Sequence, residues 1–168
     1  KFMLKTLFNL FRKTDKNSLE TLQQRAEQGD AEAMYQLGRF YHIGEVVEAD
    51  YDKAMTLYHR ANALGYPLAA NNIGALYDDM GEPEKSVEWF EQGIRQDDKR
   101  ATINLGRFYL LGIGVGQDTF KGMQMLEKYD DDGFVLYLLA QVYDGVIGYG
   151  VPINYPKALE YYLLAEKN

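Results

Sequence analysis

Apolar residues recur along this chain at spacings of three and four, the pattern of helices that bury one face. Ala33, Leu37, Phe40 and Tyr41 trace one such stripe, ending at Gly44. Ala54, Leu57, Tyr58, Ala61 and Leu64 trace a second, closed by Gly65. The pair then repeats. Residues 33–41 have counterparts at 69–77, 101–109 and 135–143, each with a small landmark residue at the same place: Gly38, Gly74, Gly106 and Ala140. The landmarks lie 36, 32 and 34 residues apart, a period that predicts stacked two-helix repeats. A Lys and a small residue follow each block: Lys53-Ala54, Lys85-Ser86, Lys121-Gly122 and Lys157-Ala158.

Each repeat is predicted to run helix A, turn, helix B, link. Gly44 stops a helix in the manner of a C-terminal glycine. Asp50, Asp118 and Asn154 suit the N-cap of helices B, because a side-chain oxygen satisfies free backbone N–H groups there. Pro83 sits where a first-turn proline is tolerated. From landmark to Lys the chain runs 15, 11, 15 and 17 residues, so repeat two has a tight turn at Met80-Gly81-Glu82-Pro83 and the others carry longer loops. The next helix B positions are Leu57, Trp89, Met125 and Tyr161, then Tyr58, Phe90, Leu126 and Tyr162, and one turn on Ala61, Gly93, Tyr129 and Ala165. Small landmarks let helix B approach helix A closely.

Helix A ending in Leu-Gly-x-x-Tyr, a Gly-x-Gly-Val loop, Asp-x-x-Lys-Ala and an aromatic-rich helix B resemble the Sel-one-like repeat, a longer-looped relative of the tetratricopeptide repeat. The resemblance covers residues 19–168. It implies an all-α fold, a right-handed alpha/alpha superhelix of about four units at 19–65, 66–97, 98–133 and 134–168, behind a capping helix or linker at 1–18. Repeat two departs toward tetratricopeptide loop length, and repeat four replaces the landmark Gly by Ala140. Repeat three has Gly122 and Tyr129 at helix B positions where small residues are expected. In tetratricopeptide-like stacks helices A line the concave face. Carried over by position, this implies a partner-binding set of Tyr35, Arg39 and His42; Asn71, Asp78 and Asp79; Arg107; and Tyr137, Gln141 and Asp144. Aromatic and Arg side chains are common interface anchors. The competing expectation is that Arg39 and Arg107 pair with acids of neighbouring repeats, while Tyr35 and Tyr137 pack between helices.

Composition narrows the function classes. With 168 residues and 46% hydrophobic content the chain can build a sizeable core, and its 14 Tyr belong largely to the repeat. Absence of Cys excludes disulfides and thiolate metal sites. It also keeps the beta-lactam chemistry linked with Cys-rich members of the family from being carried over. The net charge of −7 is uneven, since residues 1–16 hold Lys1, Lys5, Arg12, Lys13 and Lys16 against Asp15. The acidic remainder argues against nucleic acid and suits a basic protein partner. His42 and His59 supply too few ligands for a metal, and His42 is expected at the surface. The Gly112-x-Gly114-x-Gly116 loop lacks the spacing and preceding strand of a phosphate cradle. Asp130-Asp131-Asp132-Gly133 lacks the downstream Glu of a calcium loop and reads as a solvated link. No catalytic set and no cofactor site emerges.

Leu4, Leu7, Phe8 and Phe11 stand at helical spacing among Lys5, Arg12 and Lys13. Residues 1–13 are expected to cap the first repeat, with a membrane-surface helix or a degenerate secretory signal as the alternatives. Met3 as the natural start favours a cytoplasmic protein; the alternative is periplasmic. At the other end, Tyr161, Tyr162, Leu163 and Leu164 leave an apolar face that invites self-association or a further helix. The function expected is a non-catalytic module that binds a protein partner. The resemblance points to a bacterial immunity protein that occludes a toxin, since some proteins of that family are encoded beside secreted effectors. An adaptor for a signalling, secretion or envelope complex is the alternative, and an enzyme is a third.

Overall fold

The computed structural model describes residues 19–45 and 47–167, and every regular element described is helical. Residues 19–27 form α1, followed by α2 (Ala31–Ile43), α3 (Tyr51–Ala63), α4 (Ala69–Asp79), α5 (Pro83–Arg95), α6 (Lys99–Leu111), α7 (Thr119–Leu126), α8 (Gly133–Tyr143) and α9 (Tyr155–Ala165). Helices A are α2, α4, α6 and α8; helices B are α3, α5, α7 and α9. The expectations for residues 1–13 lie outside the described residues. The chain forms two compact bodies, one up to Leu76 and one from Tyr77 onward.

The helix starts follow from their caps. Asp30, Asp50, Asp118 and Asn154 each accept the amide of the residue three positions on; Asp98 caps α6 by accepting the Arg100 amide, and Asp132 caps α8 by accepting those of Phe134 and Val135. Loss of such a cap costs about 1 kcal/mol. Glu82 makes no side-chain cap bond at α5, where Pro83 supplies a preset φ instead. Gly44 and Gly112 end α2 and α6 in the left-handed region.

One further device recurs in all four repeats. The N-cap residue of each helix B donates its backbone N–H to the carbonyl of the Tyr at the end of helix A: Asp50 to Tyr41 (2.8 Å), Glu82 to Tyr77 (2.9 Å), Asp118 to Tyr109 (2.9 Å) and Asn154 to Tyr143 (2.7 Å). Loops of different length therefore begin and finish on the same anchor. The repeat Lys then lies over the same Tyr ring, at 5.1, 5.3, 4.0 and 4.2 Å from its centroid. Lys121 and Lys157 also donate to the Tyr109 and Tyr143 hydroxyls, while Lys53 and Lys85 pair with Asp50 and Glu82. Cation–π pairs at exposed sites contribute about 0.5–1 kcal/mol each. The Lys of the pattern thus clamps each hairpin at its loop end.

The hairpins close around small residues. A Cβ on Gly38 would fall 2.7 Å from Cε1 of Tyr58, so that ring lies directly on the α2 backbone. In the second body Gly122 faces Gly106, and a Cβ on Gly122 would meet the Gly106 carbonyl at 2.8 Å. Here α7 gives up α geometry after Leu126 and passes through a 3-10 turn at Glu127–Tyr129. That turn lets the bulky Tyr129 pack at the edge of the Ile103, Leu110, Leu126, Val135 and Leu139 core. A neighbouring core sets Phe90 edge-on to Phe108 at 5.3 Å, with Ala101 and Leu105. Two long loops also dock: Gly114 lies on the Pro83 carbonyl at the start of α5, and Gly148 lies on Thr119 at the start of α7. The Tyr149 amide donates to Thr119 Oγ1 at 2.8 Å.

Candidate functional site

The sequence-predicted surface set includes interior residues, paired residues and one part-exposed cluster. Tyr35 is buried, its ring 4.8 Å from Tyr66 and 6.0 Å from Tyr58. Asn71 is buried as well and donates to Asn72 Oδ1. Both stand three residues before a landmark and so share the landmark's inward face, because residues three apart are helix neighbours. Neither is available to a partner. The expectation that Tyr35 packs between helices is the one the structure shows.

His42 is half-buried rather than superficial, with Nδ1 3.3 Å from the Tyr58 hydroxyl. The same hydroxyl accepts from Asn72 Nδ2 at 3.2 Å. Arg39 is exposed and donates to Gln36 of its own helix at 3.4 Å. Asp79 is exposed, whereas Asp78 forms a 3.0 Å ion pair with Arg107. This links α4 of repeat two to α6 of repeat three, so Arg107 follows the neighbouring-repeat expectation and Arg39 does not.

Tyr137, Gln141 and Asp144 do come together, and they gather Tyr162 from α9. Tyr137 is 46% exposed, and its ring meets that of Tyr162 edge-on at 5.8 Å. Gln141 donates to the Tyr137 hydroxyl at 3.4 Å. The Tyr162 hydroxyl donates to Asp144 Oδ2 at 2.5 Å, and Asp144 Oδ1 accepts the Val146 amide. The hydrogen bond to Asp144 pushes the Tyr162 hydroxyl up to about 12, with burial and the carboxylate charge adding to it. Tyr162 belongs to the cluster although it stands outside the helix A set; its sequence signals are the register match with Tyr58 and its place on the apolar face of the last helix.

This arrangement can grip a peptide or helix through rings, an amide and a carboxylate. It lacks the paired, buried acid and base of a hydrolytic site. Among the described residues no group of three His, Asp or Glu is placed to hold a metal, and no helix is long and apolar enough to cross a membrane. A hollow of about 340 Å³ is lined by Tyr41, Asp52, Lys53, Thr56 and Leu57, where Lys53 is already held by Asp50 and raised above its usual range by that bond.

Capped helical hairpins of this period, offering exposed helix A side chains, define an α/α repeat protein of the protein-interaction type. Sel1 repeats match residues 31–66, 67–98, 99–128 and 135–168, and the chain belongs to the Sel1 repeat family. Among solved structures it is similar to a protective antigen of uropathogenic Escherichia coli strains that displays an SLR fold, with a TM-score of 0.72 and 27% identity over 89% of this chain and 33% of that one. It is also similar to an immunity protein from Pseudomonas aeruginosa, with a TM-score of 0.61 and 25% identity over 88% of this chain and 56% of that one. Chitin synthase regulatory factor 4 of Schizosaccharomyces pombe is 32% identical over 121 residues, covering 68% of this chain and 19% of that protein. A component of the ERAD-associated E3 ubiquitin-protein ligase of Arabidopsis thaliana is 34% identical over 102 residues, covering 59% of this chain and 16% of that protein. The chain thus spans about a fifth of the length of these curated relatives.

Proposed function

We propose that this chain is a non-catalytic module that captures a protein partner through exposed helix A residues, and that it acts in the cytoplasm as a bacterial immunity protein against a basic toxin effector. The likeness to an immunity protein over 88% of the chain carries this reading. The net charge of −7 supports it, because an acidic surface accelerates encounter with a basic partner. Arg39, Asp79, Tyr137, Gln141 and Asp144 are the contact residues on this view. The test is co-expression with candidate basic toxin effectors from the same genome, with growth as the measurement. Protection is expected; growth arrest despite folded protein would end the immunity reading. Protection unchanged by Arg39→Glu together with Tyr137→Ala would end the helix A version.

The similarity to a component of a ubiquitin-ligase assembly favours a second reading, an adaptor. An adaptor holds two different proteins at once. Purified complexes that always contain a single partner species would decide against it.

A further inference from the structure

We propose that the outer face of α8 and α9 docks a helix of a partner protein that carries Asn or Gln and, three positions later, Arg. The chain itself shows three ways in which a repeat meets the next helix A, one at each junction. The first is apolar: Met123, two residues after the repeat Lys121, is buried in the core that holds Val135 and Leu138 of α8. Second, Tyr58, five residues after Lys53, accepts the side-chain amide of Asn72 at 3.2 Å. In the third, Asp78, four residues past its landmark, pairs with Arg107 at 3.0 Å. Asn72 stands two residues before its landmark and Arg107 one after its own, so a single helix bearing both carries them three apart.

Repeat four alone combines the receiving half of all three. Leu159, two residues after Lys157, is 59% exposed. Tyr162 stands five residues after Lys157, and Asp144 four past Ala140, with the Tyr162 hydroxyl on the carboxylate just as Tyr58 meets His42. An incoming amide completes the hydroxyl as Asn72 does for Tyr58, an incoming guanidinium pairs with Asp144 as Arg107 does with Asp78, and apolar helix surface covers Leu159. Tyr137, edge-on to Tyr162, forms the wall. This deepens the binding-module reading, on which it rests, by stating the chemistry of one partner segment; it holds for an effector or an assembly partner alike.

The probe is a hydrocarbon-stapled peptide with the sequence of α6, Lys99–Leu111, which supplies Asn104 and Arg107 at the required spacing. Its helicity is verified by circular dichroism before it is titrated into the full chain by calorimetry. Saturable binding is expected. Arg107→Asp in the peptide, or Asp144→Arg in the protein, should each weaken it on the order of tenfold, and the two changes combined should restore it. Tyr162→Phe, which keeps the ring, should weaken it a few-fold. No saturable binding of the helical peptide, or binding indifferent to these changes, overturns the proposal. So does an Asp144-dependent dimer of the chain alone in sedimentation, which would give this face to a second copy, and so does a longer natural polypeptide that fails to bind the peptide because a helix after α9 already covers Leu159. Loss of peptide binding with cell protection intact removes this inference and leaves the immunity reading standing.

Discussion

Helices α3 and α9 open in the same way, with an Asp or Asn cap, a Lys, an Ala and an aromatic residue five positions after the Lys, yet they bury their faces to opposite degrees. Tyr58 of α3 is fully buried, with Ala54, Leu57 and Ala61 beside it. In α9 Ala158 is the buried residue, while Leu159 and Leu163 are about half exposed. One difference lies in helix A. Gly38 leaves its backbone bare, so the Tyr58 ring lies against it and the hydroxyl reaches His42 and Asn72. Ala140 carries the Cβ that Gly38 lacks, and a Cβ there cannot share space with a ring seated as Tyr58 is. The Tyr162 hydroxyl, like that of Tyr58, reaches the residue four past the landmark, which here is Asp144 rather than His42. The cover differs as well: Asn72 of the next helix A bonds the Tyr58 hydroxyl, whereas Leu159 and Leu163 beside Tyr162 stay about half exposed.

Breaking the buried side should have the largest effect. Tyr58→Ala is expected to cost about 3–5 kcal/mol in urea unfolding, as for other large buried aromatic residues, and Tyr162→Ala only about 1 kcal/mol. Equal costs would erase the contrast. Gly38→Ala should follow, at about 1–3 kcal/mol, because the new Cβ is driven into the Tyr58 ring. Ala140→Gly sharpens the same point from the other side: it should cost about 0.5–1 kcal/mol through helix propensity while moving Tyr162 toward the Tyr58 seat, read as lower acrylamide access or altered ring shifts in NMR spectra. Arg107→Ala removes a part-exposed pair and should cost about 1 kcal/mol or less.

The smallest effect is a titration. Because Asp144 raises the Tyr162 hydroxyl to about 12 from an ordinary 10.0, the stability this bond contributes is fully present below pH 10 and is lost as pH rises toward about 12. An ultraviolet absorbance titration should show a late-ionising tyrosine that vanishes in Tyr162→Phe and moves earlier in Asp144→Asn. An unchanged late phase in both variants would detach Tyr162 from Asp144.

Much of the fold is legible in the residues themselves. The caps at Asp50, Asp118 and Asn154, the stop at Gly44 and the first-turn Pro83 act within a few residues, so local chemistry reveals them. The Lys after each landmark was visible as a recurring letter, but its seat over the helix A Tyr was not, because that contact spans a loop of variable length. The candidate site was legible only in part. Tyr137, Gln141 and Asp144 lie one turn apart on a single helix and were found together; Tyr35 and Asn71 were misplaced, since a helical register states which residues share a face and not which face is covered.

What the sequence alone determined is the grammar: four hairpins, their start and stop signals, and the small residues where helices touch, all set by interactions between near neighbours in the chain. Tertiary structure alone decided which tyrosines are buried and which stay exposed, that Arg107 is engaged by Asp78, and that Tyr162 joins Asp144. Those outcomes depend on atoms brought within a few ångströms from distant parts of the chain, where one Cβ changes which side chain can enter.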